Sequence, residues 1–135
     1  MKAFYLFFET LLIVFLGQAT EQKTFAQQAG NECGARIGIE VSNSLLTISG
    51  NYRNNTNLPV YYYYELNVTK KNRGNSSNNL QSGRISVQPG VETVLSTSKI
   101  NYTDSDVFEI ELHIINEGKI ICTQKTQFPQ STKNQ

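Results

Sequence analysis

The chain has 135 residues, with 12 Lys and Arg against 11 Asp and Glu, 39% apolar residues, two Cys and no Trp. So even a charge balance excludes general nucleic-acid binding, which needs a basic excess. What remains after an apolar N-terminus is enough for one domain with one modest core.

Met1-Lys2 supplies a short positive start, and Ala3 to Leu16 is almost continuously apolar, interrupted by Glu9. That is the length of a signal-peptide core, whereas a spanning helix needs about 20 apolar residues. The run stops at Gly17-Gln18-Ala19. The pattern predicts a signal peptide over residues 1–26, cleaved after Ala19 or Ala26, a β-domain over 27–128 and a flexible polar tail over 129–135. A retained anchor would leave the domain on the same side of the membrane. Removing the leader takes Lys2, Lys23, Glu9 and Glu21, and the remaining charge is segregated. Arg53, Lys70, Lys71, Arg73 and Arg84 share the middle third with only Glu65, while Asp104, Asp106, Glu109, Glu111 and Glu117 form a later acidic run.

From Cys33 onward the apolar period is two, which predicts strands and no helix. Ile37, Ile39 and Val41 alternate through a first strand that ends at Asn43-Ser44, and Leu46, Ile48, Gly50 and Tyr52 alternate through a second. Pro59 marks the entrance of the third, Val60 to Lys70. Its Leu66 and Val68 fix the inward face with Tyr62 and Tyr64, so Tyr61, Tyr63, Glu65, Asn67 and Thr69 face out. The Asn, Ser and Gly-rich stretch from Asn72 to Gly83 has too little apolar surface to bury and reads as a long exposed loop. Ile85 and Val87 then mark a short fourth strand closed by Pro89-Gly90. Thr93 to Ile100 forms a fifth with Val94 and Leu95 as its apolar centre. Phe108, Ile110, Leu112 and Ile114 alternate through the sixth, and Asn116-Glu117-Gly118 turns into a seventh, Lys119 to Gln127, carrying Ile120, Ile121 and Cys122.

Seven short antiparallel strands without a helix predict an all-β, seven-stranded immunoglobulin-like β-sandwich. Cys33 precedes the first strand and Cys122 lies in the last, edges that neighbour each other in such sandwiches, so a structural disulfide is expected. A redox pair is the alternative, but no cationic cluster flanks either thiol to lower its pKa. An enzyme is not expected. His113 is the sole histidine, placed outward beside Glu111, and neither metal-ligand spacing nor a nucleophile elbow accompanies it. Glu109 and Glu111 share one strand face and read as charge on a solvated sheet. No catalytic residue, metal or cofactor is therefore assigned. Sequons occur at Asn54, Asn67, Asn75 and Asn101, a weak signal in a chain this rich in Asn, Ser and Thr. Tyr61 and Tyr63 are an outward aromatic pair, which reads either as a protein interface or as tyrosines paired across a sheet.

The order Tyr64-Glu65-Leu66-Asn67-Val68-Thr69-Lys70-Lys71, Gly74-Asn75-Ser76-Ser77, Gln81-Ser82-Gly83-Arg84-Ile85, Gln88-Pro89-Gly90, Val94-Leu95-Ser96, Glu111-Leu112-His113-Ile114 and Gly118-Lys119-Ile120-Ile121-Cys122 resembles the curli assembly proteins of the CsgC/CsgH type, the CsgH branch most closely. The resemblance covers about residues 33 to 125. It implies a small periplasmic immunoglobulin-like protein that holds a curli-type amyloid subunit soluble until export. The Cys-x-Cys motif of the CsgC branch is absent, and Gln81-Ser82-Gly83 stands where the family has a Gln-Gly-Gly-like segment. On this reading the client meets Tyr61 and Tyr63 together with the basic residues Lys70, Lys71, Arg73 and Arg84. The protein would be a monomer, with no nucleic-acid partner and no membrane insertion after cleavage, in the periplasm or outside the cell. The alternatives are a secreted adhesion or carbohydrate-binding module, and a minor fibre-associated subunit.

Overall fold

The computed structural model describes residues 23–25 and 33–130. A three-residue strand β1 (Lys23–Phe25) precedes β2 (Ala35–Ser42), β3 (Leu45–Arg53), β4 (Val60–Asn72), β5 (Asn75–Val87), β6 (Glu92–Asn101), β7 (Val107–Asn116) and β8 (Lys119–Phe128). They form two antiparallel four-stranded sheets, β1-β2-β3-β6 and β5-β4-β7-β8, so β2 to β8 are the seven expected strands of a sandwich. β1 is an addition, paired to Gly38–Glu40 of β2 inside the segment read as leader. Both expected cleavage points, after Ala19 and after Ala26, lie outside the described residues, as does most of the expected tail.

Three hairpins close on two-residue turns whose central residues both have positive φ: Asn43-Ser44 (47° and 63°), Arg73-Gly74 (46° and 81°) and Glu117-Gly118 (50° and 77°). Such turns carry the twist that matches the flanking strands. The segments 54–59, 88–91 and 102–106 carry the chain from one sheet to the other.

The second of these hairpins corrects the expected loop. Asn75–Val87 is a 13-residue strand in unbroken register with β4, from Asn72↔Asn75 to Val60↔Val87. Burial could not have announced it, because residues 75–80 are exposed on both faces of the sheet. Backbone pairing to β4 and the Arg73-Gly74 turn make the strand instead.

The core lies between the sheets. Phe108, Ile110, Leu112 and Ile114 of β7 and Leu66 and Val68 of β4 are at most 2% exposed, and face Ile37, Ile39, Leu46 and Ile48 from the other sheet. Burying a side chain of this size contributes about 1.5–3 kcal/mol, so the alternation of β4 and β7 dominates the packing. Two β-bulges reset that alternation. One, opposite Gly50 and Asn51, inserts Leu95 into β6, and Val94, expected at the apolar centre of its strand, points into solvent. The other, opposite Ile114 and Ile115, inserts Ile121 into β8 and leaves Ile120 and Ile121 exposed while Cys122 is buried.

Cys33 and Cys122 form the expected disulfide, 89 residues apart in sequence with Cα atoms at 5.7 Å. It ties the chain ahead of β2 in one sheet to β8 in the other. Gly34 sets the approach: its φ is +82°, a Cβ there would overlap the Arg53 carbonyl oxygen, and its own carbonyl accepts from the Arg53 amide at 2.9 Å. A structural bridge of this kind belongs to an oxidising compartment.

Asn54, one of the sequon asparagines, is fully buried at the first sheet-to-sheet crossing. Its Nδ2 donates to the carbonyls of Leu58 (2.8 Å) and Val87 (2.9 Å), and its Oδ1 accepts from the Thr56 amide (2.9 Å) and hydroxyl (2.6 Å). The Asn-x-Thr spacing here folds a loop rather than presenting an amide to solvent. At the third crossing, Asp106 is buried and accepts from the Thr103 amide at 2.7 Å and from Asn72 Nδ2 at 2.6 Å, with Lys70 Nζ at 3.5 Å. Those donors, the Thr103 amide foremost, hold its carboxyl below the ordinary aspartate range against the opposing effect of burial. On the inner face Tyr52 and Tyr62 meet edge to face at 5.8 Å, and burial pushes the Tyr52 phenol up.

Candidate functional site

The outer face of the β5-β4-β7-β8 sheet collects the residues singled out in the sequence. Register lays them in cross-strand rows. Tyr61 stands beside Ser86 at one end. Next comes a row of Arg84, Tyr63, Ile115 and Ile120, then Ser82, Glu65, His113 and Thr123, then Leu80, Asn67, Glu111 and Lys125, then Asn78, Thr69, Glu109 and Gln127. Ser76, Lys71 and Val107 close the other end.

The face is therefore graded. At the Tyr61 end it is aromatic and aliphatic: Tyr61 is 71% exposed, Tyr63 44% and Ile120 55%. Arg84 lies over this end, its guanidinium carbon 5.2 Å from the Tyr63 ring centroid and its Nε donating to the Tyr63 hydroxyl at 2.5 Å. A cation on a ring face holds both side chains in place, so Tyr63 is presented in an ordered geometry beside the more exposed Tyr61. Tyr61, Tyr62, Tyr63, Arg84, Ile85 and Ser86 line an open depression there. Toward the other end the face turns ionic. Glu111 contacts His113 Nε2 and lies 3.6 Å from Lys125 Nζ, and Lys71 pairs with Glu109 at 2.8 Å. These pairs are solvated and contribute little to stability. Asn67, Thr69, Glu109, Glu111, Lys125 and Gln127 line a second shallow depression among them.

The six expected client-binding residues are not brought together as one patch. Tyr61, Tyr63 and Arg84 form one group. Lys71 shares their face but lies about 26 Å from Tyr63 along the strand, at roughly 3.3 Å per residue. Arg73 sits in the hairpin turn. Lys70 belongs to the opposite face, where its Nζ donates to the Asn101 carbonyl at 3.1 Å, faces Asp106, and lies 5.9 Å from the Phe108 ring centroid. Its role there is to fasten the Asn101–Asp106 corner to the end of β4. Ile115 and Ile120 belong to the aromatic end and were not singled out in the sequence: the Ile121 bulge breaks the parity that would have placed Ile120, and Ile115, though outward by the β7 alternation, has only Ile120 as its neighbour across β8.

No family model matches the sequence, and no curated protein matches it by sequence. Solved structures do match. The E. coli curli protein CsgC superposes with a TM-score of 0.55 at 10% identity, over 80% of this chain and 99% of that one. CsgH of R. palustris superposes with a TM-score of 0.53 at 16% identity, over 67% of this chain and 88% of that one. The chain has the CsgC/CsgH fold. Within that fold its two cysteines are joined to each other across the sandwich, and the most exposed aromatic residues of the described chain crown one end of an otherwise polar sheet.

Proposed function

We propose that this chain is a curli-assembly factor of the periplasm, which binds a curli-type amyloid subunit transiently and delays its polymerisation until export. The observation that carries the reading is the fold, shared with a curli protein over 99% of that protein's length. The inter-sheet disulfide, suited to an oxidising compartment, supports it. So does the graded outer face, with an ordered aromatic cluster at one end and solvated charge at the other, an arrangement fit for brief contacts rather than a tight, dry interface. The protein acts without a catalytic centre, as a monomer, through its exterior.

The test is the lag time of a purified curli-type subunit, followed by an amyloid dye, with the mature protein present well below equimolar amounts. A lengthened lag that shortens again in a Tyr61→Ser, Tyr63→Ser, Arg84→Ser variant is expected. A lag unaffected by the intact protein at any ratio overturns the proposal and leaves a secreted adhesion or carbohydrate-binding module as the better account of the fold.

A further inference from the structure

Sheet edges are where β-proteins risk unwanted pairing, and folded domains guard them with bulges, lysines, prolines or very short edge strands. Among the described residues, three of the four edges here are guarded. β1 is three residues long, and β2, the edge once a leader that includes β1 is removed, carries Arg36 and Glu40. β6 carries the Leu95 bulge and Lys99. β8 carries the Ile121 bulge and both Lys119 and Lys125. The fourth, β5, is different: 13 residues in unbroken register with β4, without proline, lysine or bulge, its sole charge being Arg84.

The direction of its backbone groups follows from the hairpin. A two-residue turn makes Asn72 and Asn75 a hydrogen-bonded pair, and antiparallel pairing alternates from there. Residues 75, 77, 79, 81, 83, 85 and 87 therefore turn their amides and carbonyls to β4. Those of Ser76, Asn78, Leu80, Ser82, Arg84 and Ser86 point away from it, toward no described strand. Over residues 75–80 the strand is exposed on both sheet faces as well, with Leu80 at 59%.

We infer that the open edge of β5 is a docking site for one extended strand of the amyloid subunit, joined by β-augmentation; this rests on the function proposed above and names how the partner is held. The chemistry of the edge selects the occupant. Asn75, Asn78, Asn79 and Gln81 offer side-chain amides that stack with like amides on a neighbouring strand. The charges flanking the edge, Arg84 at one end and Arg73 in the hairpin turn at the other, favour a strand that is uncharged or acidic and repel a basic one. When the end strand of a growing sheet docks on β5, the outermost edge on that side becomes β8, which is guarded, so that end accepts no further subunit. The domain terminates a growing sheet rather than templating it, which accounts for action below equimolar amounts.

Two substitutions on β5 test this edge while leaving Tyr61, Tyr63 and Arg84 in place. Leu80→Lys places a guard on the edge. Ser82→Pro removes an amide that points away from β4, so the β4–β5 ladder stays intact. Urea unfolding checks that both variants fold. Each is expected to lose about tenfold in its ability to delay subunit polymerisation, the scale of one or two lost backbone hydrogen bonds in a partly solvated strand. In the unaltered protein, addition of soluble subunit is expected to slow hydrogen exchange at the Ser76, Asn78, Leu80 and Ser82 amides. Folded variants that delay polymerisation as well as the parent, or subunit-induced protection confined to residues around Tyr61 and Tyr63, would overturn the edge and leave the proposed function standing. Protection of the same amides by raising the concentration of this protein alone would assign the edge to a second copy instead. If the parent neither delays polymerisation nor gains protection from the subunit, both readings fall.

Discussion

Reducing the Cys33–Cys122 bridge, with no change of sequence, is expected to cost this domain a large share of its stability. The bridge closes 89 residues of chain. In the chain-entropy model a loop of that size removes about 15 cal/mol/K from the unfolded ensemble, or about 4.5 kcal/mol at 25 °C. Single domains are stable by only about 5–15 kcal/mol in total. The native contacts between the sheets, Phe108 and Leu112 against Ile37 and Ile48, survive reduction, so the loss is carried almost wholly by the unfolded state. With a urea slope of about 1–1.5 kcal/mol/M for a chain of this size, the unfolding midpoint should fall by about 3–4.5 M. The assay is urea unfolding followed by circular dichroism, oxidised against reduced, with Cys33→Ala/Cys122→Ala as a check that thiol chemistry is not responsible. A reduced protein that loses less than about 1 kcal/mol would refute the reasoning, because it would mean that the unfolded chain is already confined without the bridge.

Two further expectations concern the crossings between the sheets. Asn54→Ala deletes a fully buried amide that serves four hydrogen bonds, to the carbonyls of Leu58 and Val87 and from Thr56; it should destabilise by about 2–4 kcal/mol in the same unfolding assay, and mass spectrometry of protein made in a glycosylating host should find Asn54 unmodified. Asp106 has its carboxyl pKa depressed in the fold. Its contribution is therefore fully present above the unfolded-state value of about 3.9 and is lost as pH falls through the lower folded value. Thermal unfolding across acid pH should show that decline, and Asp106→Asn should be less stable at neutral pH and less sensitive to acid. An acid response identical in the two proteins would contradict this assignment.

The parts of the molecule that could be read from its sequence are those where one strand face is buried. In β4 and β7, Leu66, Val68, Ile110 and Leu112 set a parity that places Tyr61 and Tyr63 outside. The same parity already separates Lys70 from Lys71, since Lys70 shares the side of Leu66 and Val68. What escaped has a common cause. β5 has no apolar period where it is exposed on both faces, so only its backbone pairing reveals it. Val94 and Ile120 sit beside bulges in their own strands, and a single inserted residue reverses the side on which every later side chain falls. Asn54 reads as one more polar loop residue, because its four partners lie on segments that only the closed sandwich brings together.

The three two-residue turns bear on how this chain assembles. β2–β3, β4–β5 and β7–β8 are each joined by the shortest connection a hairpin allows, so each forms as a local unit within microseconds, at little entropic cost. The pairings of β3 with β6 and of β4 with β7 bridge tens of residues and set the pace. Cys33 and Cys122 belong to different local units in different sheets. The thiols come within bonding reach only once the slow pairings are made, and oxidation then seals an architecture already reached instead of guiding the search for it.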